Sequence, residues 1–318
     1  FRGVRCLIDI RVALLAGDYP VPVDLQYTID RIAQACRFFR YADKRFAVFH
    51  GGQEGDVGFA DSVLAKSNAR GKILKSLPQS GYERMVLGRS QVMFDGGLPA
   101  PYPYDIAAHA APLAFEFIYG KERVFVNCGA HPLDACWQDS LRATAAHNAL
   151  ILDYRNSCEI KTKDRQCGHF GRKPRKVSLH REESSKAVLV EASHDGYVAI
   201  NGITHRRRLY LGQGGHDLRG EDCLTSSIDM SKPVEVVLRF HLHPRVLVSL
   251  ISDGQEALLR LPGGAGWRFQ HSSGSLTLEN SVYLGQGSRP RKTKQLVIKG
   301  RMEDDHAVIK WALRREGR

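Results

Sequence analysis

The fold class predicted by the sequence is mainly β: an antiparallel β-sandwich preceded by a short helical segment. Three observations predict it. Apolar residues recur at helical spacing as far as Ala69 and at period two from about Tyr82 onward. The later runs are short and separated by Gly, Pro, Asn and Asp, which punctuate strands. No helical crossover intervenes between them, so antiparallel pairing is favoured over a parallel sheet.

The elements follow in order. Phe1 to Gly17 reads as the end of a helix, stopped by Gly17 and Pro20. From Val21 to Ala42, the apolar residues Leu25, Ile29, Ile32, Cys36 and Phe39 trace one stripe of an amphipathic helix. The run Phe46 to Phe49 leads into the loop His50-Gly51-Gly52-Gln53-Glu54-Gly55-Asp56, and a third helix is expected from Gly58 to Ala69. Helices this few make a poor core alone, so residues 1–81 are expected to be the tail of a helical unit and 82–318 the sandwich. Strand candidates are RMVLGRSQVMF, LAFEFIYG, RVFVN, ALILD, KAVLVEAS, THRRRLYLG, VEVVLRFHLH, VLVSLIS, EALLRL, SLTLENSVYLG, QLVIKG and HAVIKWAL. The clearest hairpin turns at Gly120-Lys121-Glu122. Leu98 to Tyr104 and the basic stretch Lys161 to Lys176 read as loops.

Composition narrows the function classes. With 318 residues, 43% of them hydrophobic and 25% charged, the chain is neither collagenous nor disordered. Its best apolar stretch, LIDIRVALLAG, is interrupted by Asp9 and Arg11 and falls short of the roughly 20 residues of a membrane span. No transmembrane segment is predicted. No basic region leads into an apolar one near Phe1, so no secretory signal is readable; processing or a missing upstream segment would account for a start at Phe. The seven cysteines lack C-x-x-C spacing, which favours free thiols and a reducing compartment. A net charge of +12 fits nucleic acid, acidic lipid or an anionic polysaccharide as partner, or a solubility charge. No helix-turn-helix, RNP-type strand or zinc-finger spacing supports specific nucleic-acid binding. Nothing sets an oligomeric state.

The densest group of reactive residues runs from Tyr104 to Asp153 and holds His109, Glu116, Asn127, His131, Asp134, Trp137, Arg142 and His147. His109 precedes the first hairpin strand and Asn127 ends the second, so the hairpin should draw them together. Should the strand ALILD pair alongside, His147 joins them. Two His with an oxygen ligand is a zinc constellation; the alternative is a set of hydrogen-bonded loop residues.

Beyond spacing, the run AHAAPLAFEFIYGKERVFVNCG followed by WQDSLRATAAHNALILD resembles the C-terminal domain of the heparinase II/III-like polysaccharide lyases. The matching residues are His109-Ala110, Ala114-Phe115-Glu116-Phe117, Val126-Asn127-Cys128-Gly129, Leu141-Arg142-Ala143-Thr144 and Ala146-His147-Asn148. HDGY (ending at Tyr197), THRRRLYL, LRGEDCL and FHLHP also look like this domain, so the resemblance runs from about Arg84 onward. It implies a helical toroid followed by a sandwich, and β-elimination on a uronic-acid polysaccharide. That reaction needs the carboxylate neutralised, a base for the acidic proton and an acid for the leaving oxygen.

By motif, His109 is the catalytic candidate, and His109, Asn127 and His147 match a zinc site. Trp137, Arg142, Tyr197 and His243 are candidate contacts to an acidic polysaccharide. The family acts in the periplasm or cell envelope; with no signal visible, a cytoplasmic place is the alternative. The chain departs from the pattern in having Ala107 where many members carry a further His, and Asn127 where they carry Asp. The toroid helices expected to bear a catalytic Tyr and Asn are mostly absent. A weakly held zinc and little activity are therefore expected, and a non-catalytic, polyanion-binding or envelope-structural relative is the alternative function.

Other patterns admit two readings. His241 and His243 share one strand face, as do Arg206, Arg208 and Tyr210, with His205 and Arg207 opposite; each set could contact a polyanion or lie on a solvated face. Glu54 and Asp56 suggest a cation loop without EF-hand spacing. Gly263 to Gly266 reads as a turn.

Overall fold

A computed structural model describes residues 1–163, 167–230 and 232–317. The centre of the expected basic loop, 164–166, lies outside the described residues.

Three helices come first: α1 (Arg2–Ala16), α2 (Val23–Phe38) and α3 (Val57–Ser67). α2 ends before the expected Ala42, because Arg40 leaves helical geometry to bridge Phe46. α3 is capped by Asp56, whose carboxylate accepts the Phe59 N–H at 2.6 Å, and closes at Asn68 in the left-handed conformation. Val4, Ile8, Ile29 and Val63 close the contact between the helices.

The first sheet contains β1 (Ser76–Leu77), β2 (Tyr82–Leu87), β3 (Ser90–Asp95), β4 (Phe115–Tyr119) and β5 (Glu122–Phe125), antiparallel in chain order. RMVLGRSQVMF thus folds back as a hairpin. It turns at Gly88, where φ is +57° and an added Cβ would stand 2.1 Å from the Gly214 carbonyl oxygen. A fourth helix, α4 (Ala135–Arg142), absent from the sequence reading, leads to β6 (Leu150–Leu152). Next come β7 (Val177–Glu183), β8 (Val188–Tyr197), β9 (Ile203–Gly212), β10 (Asp217–Ser226), β11 (Val234–His241) and β12 (Leu247–Ile251). The chain ends with β13 (Glu256–Arg260), β14 (Gly266–His271), β15 (Ser275–Tyr283), β16 (Arg291–Met302) and β17 (His306–Glu316).

An eight-stranded sheet runs β12-β13-β14-β17-β10-β9-β8-β7 and a four-stranded sheet β15-β16-β11-β6, every pairing antiparallel. One core joins all three sheets, with Phe117 from the first, Val190, Leu209 and Trp311 from the second, and Leu238 and Ile298 from the third. β8 shows why: Val188, Val190 and Ala192 face inward while Leu189, Glu191 and Ser193 alternate outward. β4 is buried along its whole length. Phe115, Phe117 and Tyr119 enter the main core, and Ile118 packs with Phe38, Tyr41 and Phe49 behind it. The helical segment therefore covers the outer face of the first sheet, which brings loop 50–56 against the residues flanking β4. The seven cysteines are free thiols, and among the described residues no helix is long and apolar enough to cross a membrane.

Candidate functional site

His109 and His147 meet directly: Nδ1 of His109 lies 2.9 Å from Nε2 of His147. His109 stands on the loop before β4, where its backbone N–H donates to Nδ1 of His50 at 3.0 Å. His147 follows a short 3-10 turn and points Nδ1 at the Ala143 carbonyl oxygen, 2.8 Å away. These partners assign the protons. A carbonyl only accepts, so His147 carries its proton on Nδ1 and offers a bare Nε2. His109 must then donate from Nδ1, which leaves its own Nε2 bare. His50 accepts at Nδ1 and donates from Nε2 to Asp95 Oδ2 at 2.8 Å, with the Tyr82 hydroxyl 3.2 Å from the same oxygen.

Burial, with His147, His50 and Arg142 nearby, holds the His109 imidazolium well below its ordinary pKa, and burial takes His147 down to about 3. Both rings are neutral near pH 7. His109 Nε2 has no hydrogen-bonding partner among the described residues and opens on a cleft of about 880 Å³. The cleft is lined by Gly51 to Gln53, Gly55 and Asp56, the start of α1, Ala107, His131, Asp139 and Arg142. Gly51 borders that nitrogen at φ +77°, a conformation that favours glycine; a Cβ there would make only ordinary contact with it, at 3.8 Å. The site can accept a proton or a hydrogen bond at one defined atom.

Asn127 is turned elsewhere. Its Nδ2 donates to the Val48 carbonyl at 3.0 Å, and its Oδ1 accepts the Asn148 N–H at 3.1 Å. The amide ties three segments together without contacting the imidazoles. Beside it, the buried Glu116 carboxylate accepts the N–H groups of Asn127 and Val48 and the Tyr41 hydroxyl, at 3.0, 3.1 and 3.2 Å. Burial pushes its pKa up to about 7 against the pull of Arg123 and these donors.

The donor set suits zinc poorly. The facing nitrogens of the two imidazoles are committed to each other, and the third group is a neutral amide whose oxygen already holds a backbone N–H. No group of three or more His, Cys, Asp or Glu placed to hold a metal occurs among the described residues.

The remaining candidates separate. Arg142 reaches the cleft, but Nε donates to the Ala108 carbonyl at 2.8 Å and Nη2 to those of Asp105 and Gly168 at 3.2 and 2.7 Å. Its Nη1 has no such partner among the described residues. Trp137, on α4, packs with Cys128, Leu141, Ala146 and Leu284 and does not line the cleft. Tyr197 corrects the expectation of a substrate contact: it is fully buried and donates to the Leu150 carbonyl at 2.9 Å. His243 lies away from the His109 cleft: it borders a separate small pocket with Arg45 and Gln286, its Nε2 3.8 Å from Glu54 and its ring against Tyr283. His241 is also buried, hydrogen-bonded to Ser281 and the Ala145 carbonyl at 2.7 and 2.9 Å. Glu54 is no cation ligand: Arg45, Tyr283 and Gln286 surround its carboxylate.

Sequence reasoning placed His131 in the His109 cluster without assigning it a role, and missed His50 as a neighbour of the site. The signal for His50 was the His-Gly-Gly run itself, since a positive-φ glycine beside an imidazole marks close backbone approach.

Residues 69–312 match the family model described as heparinase II/III-like, C-terminal. FtsZ-localized protein C of Caulobacter vibrioides (strain NA1000 / CB15N) is 31% identical, over 98% of this chain and 56% of that protein. Among solved structures, the heparan sulfate lyase HepC of Pedobacter heparinus superposes with a TM-score of 0.75 at 12% identity, over 99% of this chain and 50% of the lyase. A heparinase III structure gives 0.76 at 13%, over 98% of this chain and 52% of the enzyme. At these identities the likeness is one of fold. The chain spans about half the length of the relatives it matches.

Proposed function

The chain belongs to the heparinase II/III-like family, and on that premise we propose that it binds an acidic polysaccharide in the His109 cleft without itself completing β-elimination. One observation carries the reading: the cleft offers a single bare, neutral proton acceptor, His109 Nε2, beside the cationic Arg142. Elimination begins when a base takes the proton next to the uronate carboxylate, and His109 is suited to that step. It ends when an acid protonates the leaving oxygen. No tyrosine or lysine lines the cleft among the described residues, and Arg142 uses three of its N–H bonds on carbonyls. General acid and base groups each contribute roughly 10²–10⁴-fold, so this chain alone should turn a polymer over near background while still holding it.

The test is direct. Elimination leaves a conjugated unsaturated uronate that absorbs in the near ultraviolet, and binding is read by calorimetry on heparan sulfate, alginate or polygalacturonate. Binding that weakens with added salt, with no absorbance growth, is the expected result. Robust absorbance growth abolished by His109→Ala would overturn the non-catalytic reading.

A second reading rests on one observation, the relative named for localisation with FtsZ. It is an assembly role at the cytoplasmic side of the envelope, which the seven free thiols also support. Sedimentation of the chain with purified FtsZ polymers separates the two: pelleting with FtsZ and no affinity for acidic glycans would favour assembly.

A further inference from the structure

We infer that the small pocket bordered by His243 and Arg123 binds one small oxyanion of the phosphate type. It shares no lining residue with the His109 cleft, so the inference stands apart from the glycan reading.

A ribbon of backbone separates the two. The Phe46 N–H donates to the Glu54 carbonyl at 2.9 Å, and successive residues face opposite ways. Phe46 and Gly55 line the His109 cleft, whereas Arg45 and Glu54 line the second pocket. Its volume is about 140 Å³, below the roughly 300 Å³ at which sites for larger ligands begin, so it suits an ion and not a saccharide chain. Arg123 and His243 are buried within it, while Lys121 and Arg245 stand exposed at its mouth.

The acceptors in the pocket are already used. Asp43 takes the Arg123 Nε–H at 2.8 Å and the Arg45 backbone N–H at 2.9 Å. Glu54 takes Arg45 Nη1 at 2.9 Å together with Tyr283 and Gln286, and Glu122 takes the Gly263 N–H. The donors are not used up. Arg123 commits Nε to Asp43 and Nη2 to the Phe46 carbonyl at 2.9 Å, but Nη1 is buried with no partner among the described residues. His243 accepts the Arg245 N–H at Nδ1, 3.4 Å away, which puts its proton on Nε2. That nitrogen lies 3.8 Å from Glu54, beyond hydrogen-bonding distance. The side chains of Lys121 and Arg245 have no acceptor among the described residues.

Charge points the same way. Four cations, Arg45, Lys121, Arg123 and Arg245, meet three carboxylates, which leaves one positive charge over. Water supplies acceptors but no charge. An oxyanion supplies both, with several oxygens for donors that arrive from β5, from the turn before it and from the segment after β11. Those oxygens belong equally to a free ion or to the end of a phosphate monoester.

The experiment titrates the full chain with inorganic phosphate and with glycerol 3-phosphate, in sodium chloride that holds ionic strength constant. Calorimetry reads affinity, and the ¹⁵N signals of the His243 ring read the place. Saturable phosphate binding that moves the His243 signals is expected, with no such response to chloride. Lys121→Ala combined with Arg245→Ala removes two exposed, unpaired side chains; melting in chloride should stay near wild type while phosphate binds roughly tenfold or more weakly. His243→Phe keeps a ring against Tyr283, removes the buried donor and should weaken phosphate likewise. Glycerol 3-phosphate binding as tightly as phosphate would identify a terminal phosphoryl group as the occupant, and binding of phosphate alone a free ion. Wild-type His243 signals that move no further than in chloride, or a phosphate affinity unchanged in both variants, would overturn the site. Neither of those results bears on the His109 cleft, whose lining these variants leave intact.

Discussion

Arg207 donates from Nε to Asp222 Oδ1 at 2.7 Å, and neither side chain has appreciable surface. The pair lies in the core on neighbouring strands β9 and β10, whose register sets the two residues opposite each other. His205 and Trp311 complete the shell around the carboxylate, at 2.8 and 3.2 Å. Arg207 Nη1 then donates to the carbonyls of Leu113 and Asn148 at 2.8 and 2.7 Å, four residues beyond His109 and one beyond His147. A core ion pair thus pins the two segments that carry the facing imidazoles.

Removing one half of such a pair strands the other charge in the core. Asp222→Asn should cost about 3–5 kcal/mol in chemical denaturation. Burial alone would raise the Asp222 carboxyl, but Arg207 and His205 hold it down to about 2, below its ordinary value of 3.8. Its contribution is therefore full above the ordinary value and is lost as pH falls toward about 2. The difference between wild type and Asp222→Asn should shrink across that window. A difference independent of pH would show that packing, not charge, links the strands.

Glu116 works in the opposite direction. Burial lifts its carboxyl from 4.5 to about 7, so the folded protein holds a proton that the unfolded chain has released. A raised carboxyl stabilises fully below the unfolded value and loses that contribution as pH rises through the folded one. Wild type should lose about 3 kcal/mol of this contribution between about pH 4.5 and pH 8, while Glu116→Gln, which cannot ionise, should vary less. Denaturant midpoints of both proteins across that range decide it. Parallel profiles would mean that the three donors around Glu116 keep it ionised throughout.

The sandwich was legible because its strands obey a local rule. Val188, Val190 and Ala192 alternate with more polar neighbours, and the Gly120 turn separates two apolar runs. The Arg207–Asp222 pair was not. THRRRLYLG is a run of cations that suits a solvated face, and Arg206 and Arg208 do lie half-exposed, paired with Glu191 and Glu221. Burial of His205 and Arg207 is decided by Asp222, which adjoins them only after β10 has paired. The same limit applies at the cleft. Motif order sets His109 near His147, but the turn of Asn127 away from them depends on the Val48 carbonyl, 79 residues earlier. α4 carried a readable signal, Asp134 capping Trp137, that apolar periodicity does not register in a short polar helix.

Asn127→Asp tests the metal reading. In the metal-free protein a carboxylate oxygen would replace Nδ2 against the Val48 carbonyl, so two acceptors would face each other in a buried site. Loss of about 2–4 kcal/mol is expected in chelator, through one broken bond and one buried, poorly paired charge. The same carboxylate adds the negative charge that two neutral imidazoles and an amide lack. Zinc should therefore raise the melting temperature of the variant more than that of wild type. Equal responses in the two proteins would count against His109, Asn127 and His147 as a ligand set.

The proton on His109 is fixed by His147, and this can be read spectroscopically. In the wild type, Nδ1 of His109 donates to a bare nitrogen 2.9 Å away, so the Nε2 facing the cleft should give the ¹⁵N shift of an unprotonated imidazole. His147→Ala removes that acceptor together with a neighbour that helps keep His109 neutral. The ring should then populate both tautomers, and its titration should move up toward the ordinary histidine range, though burial keeps it below. His147→Gln supplies an amide oxygen at the same place and should preserve the wild-type tautomer. Stability should fall by about 1–3 kcal/mol in the Ala variant, from a buried donor left unpaired, and less in the Gln variant. The two readouts separate roles: a structural His147 would change stability alone, while an orienting one changes the His109 nitrogen shifts as well. Unaltered shifts in His147→Ala would mean that the backbone contact to His50, not His147, decides which nitrogen of His109 faces the cleft.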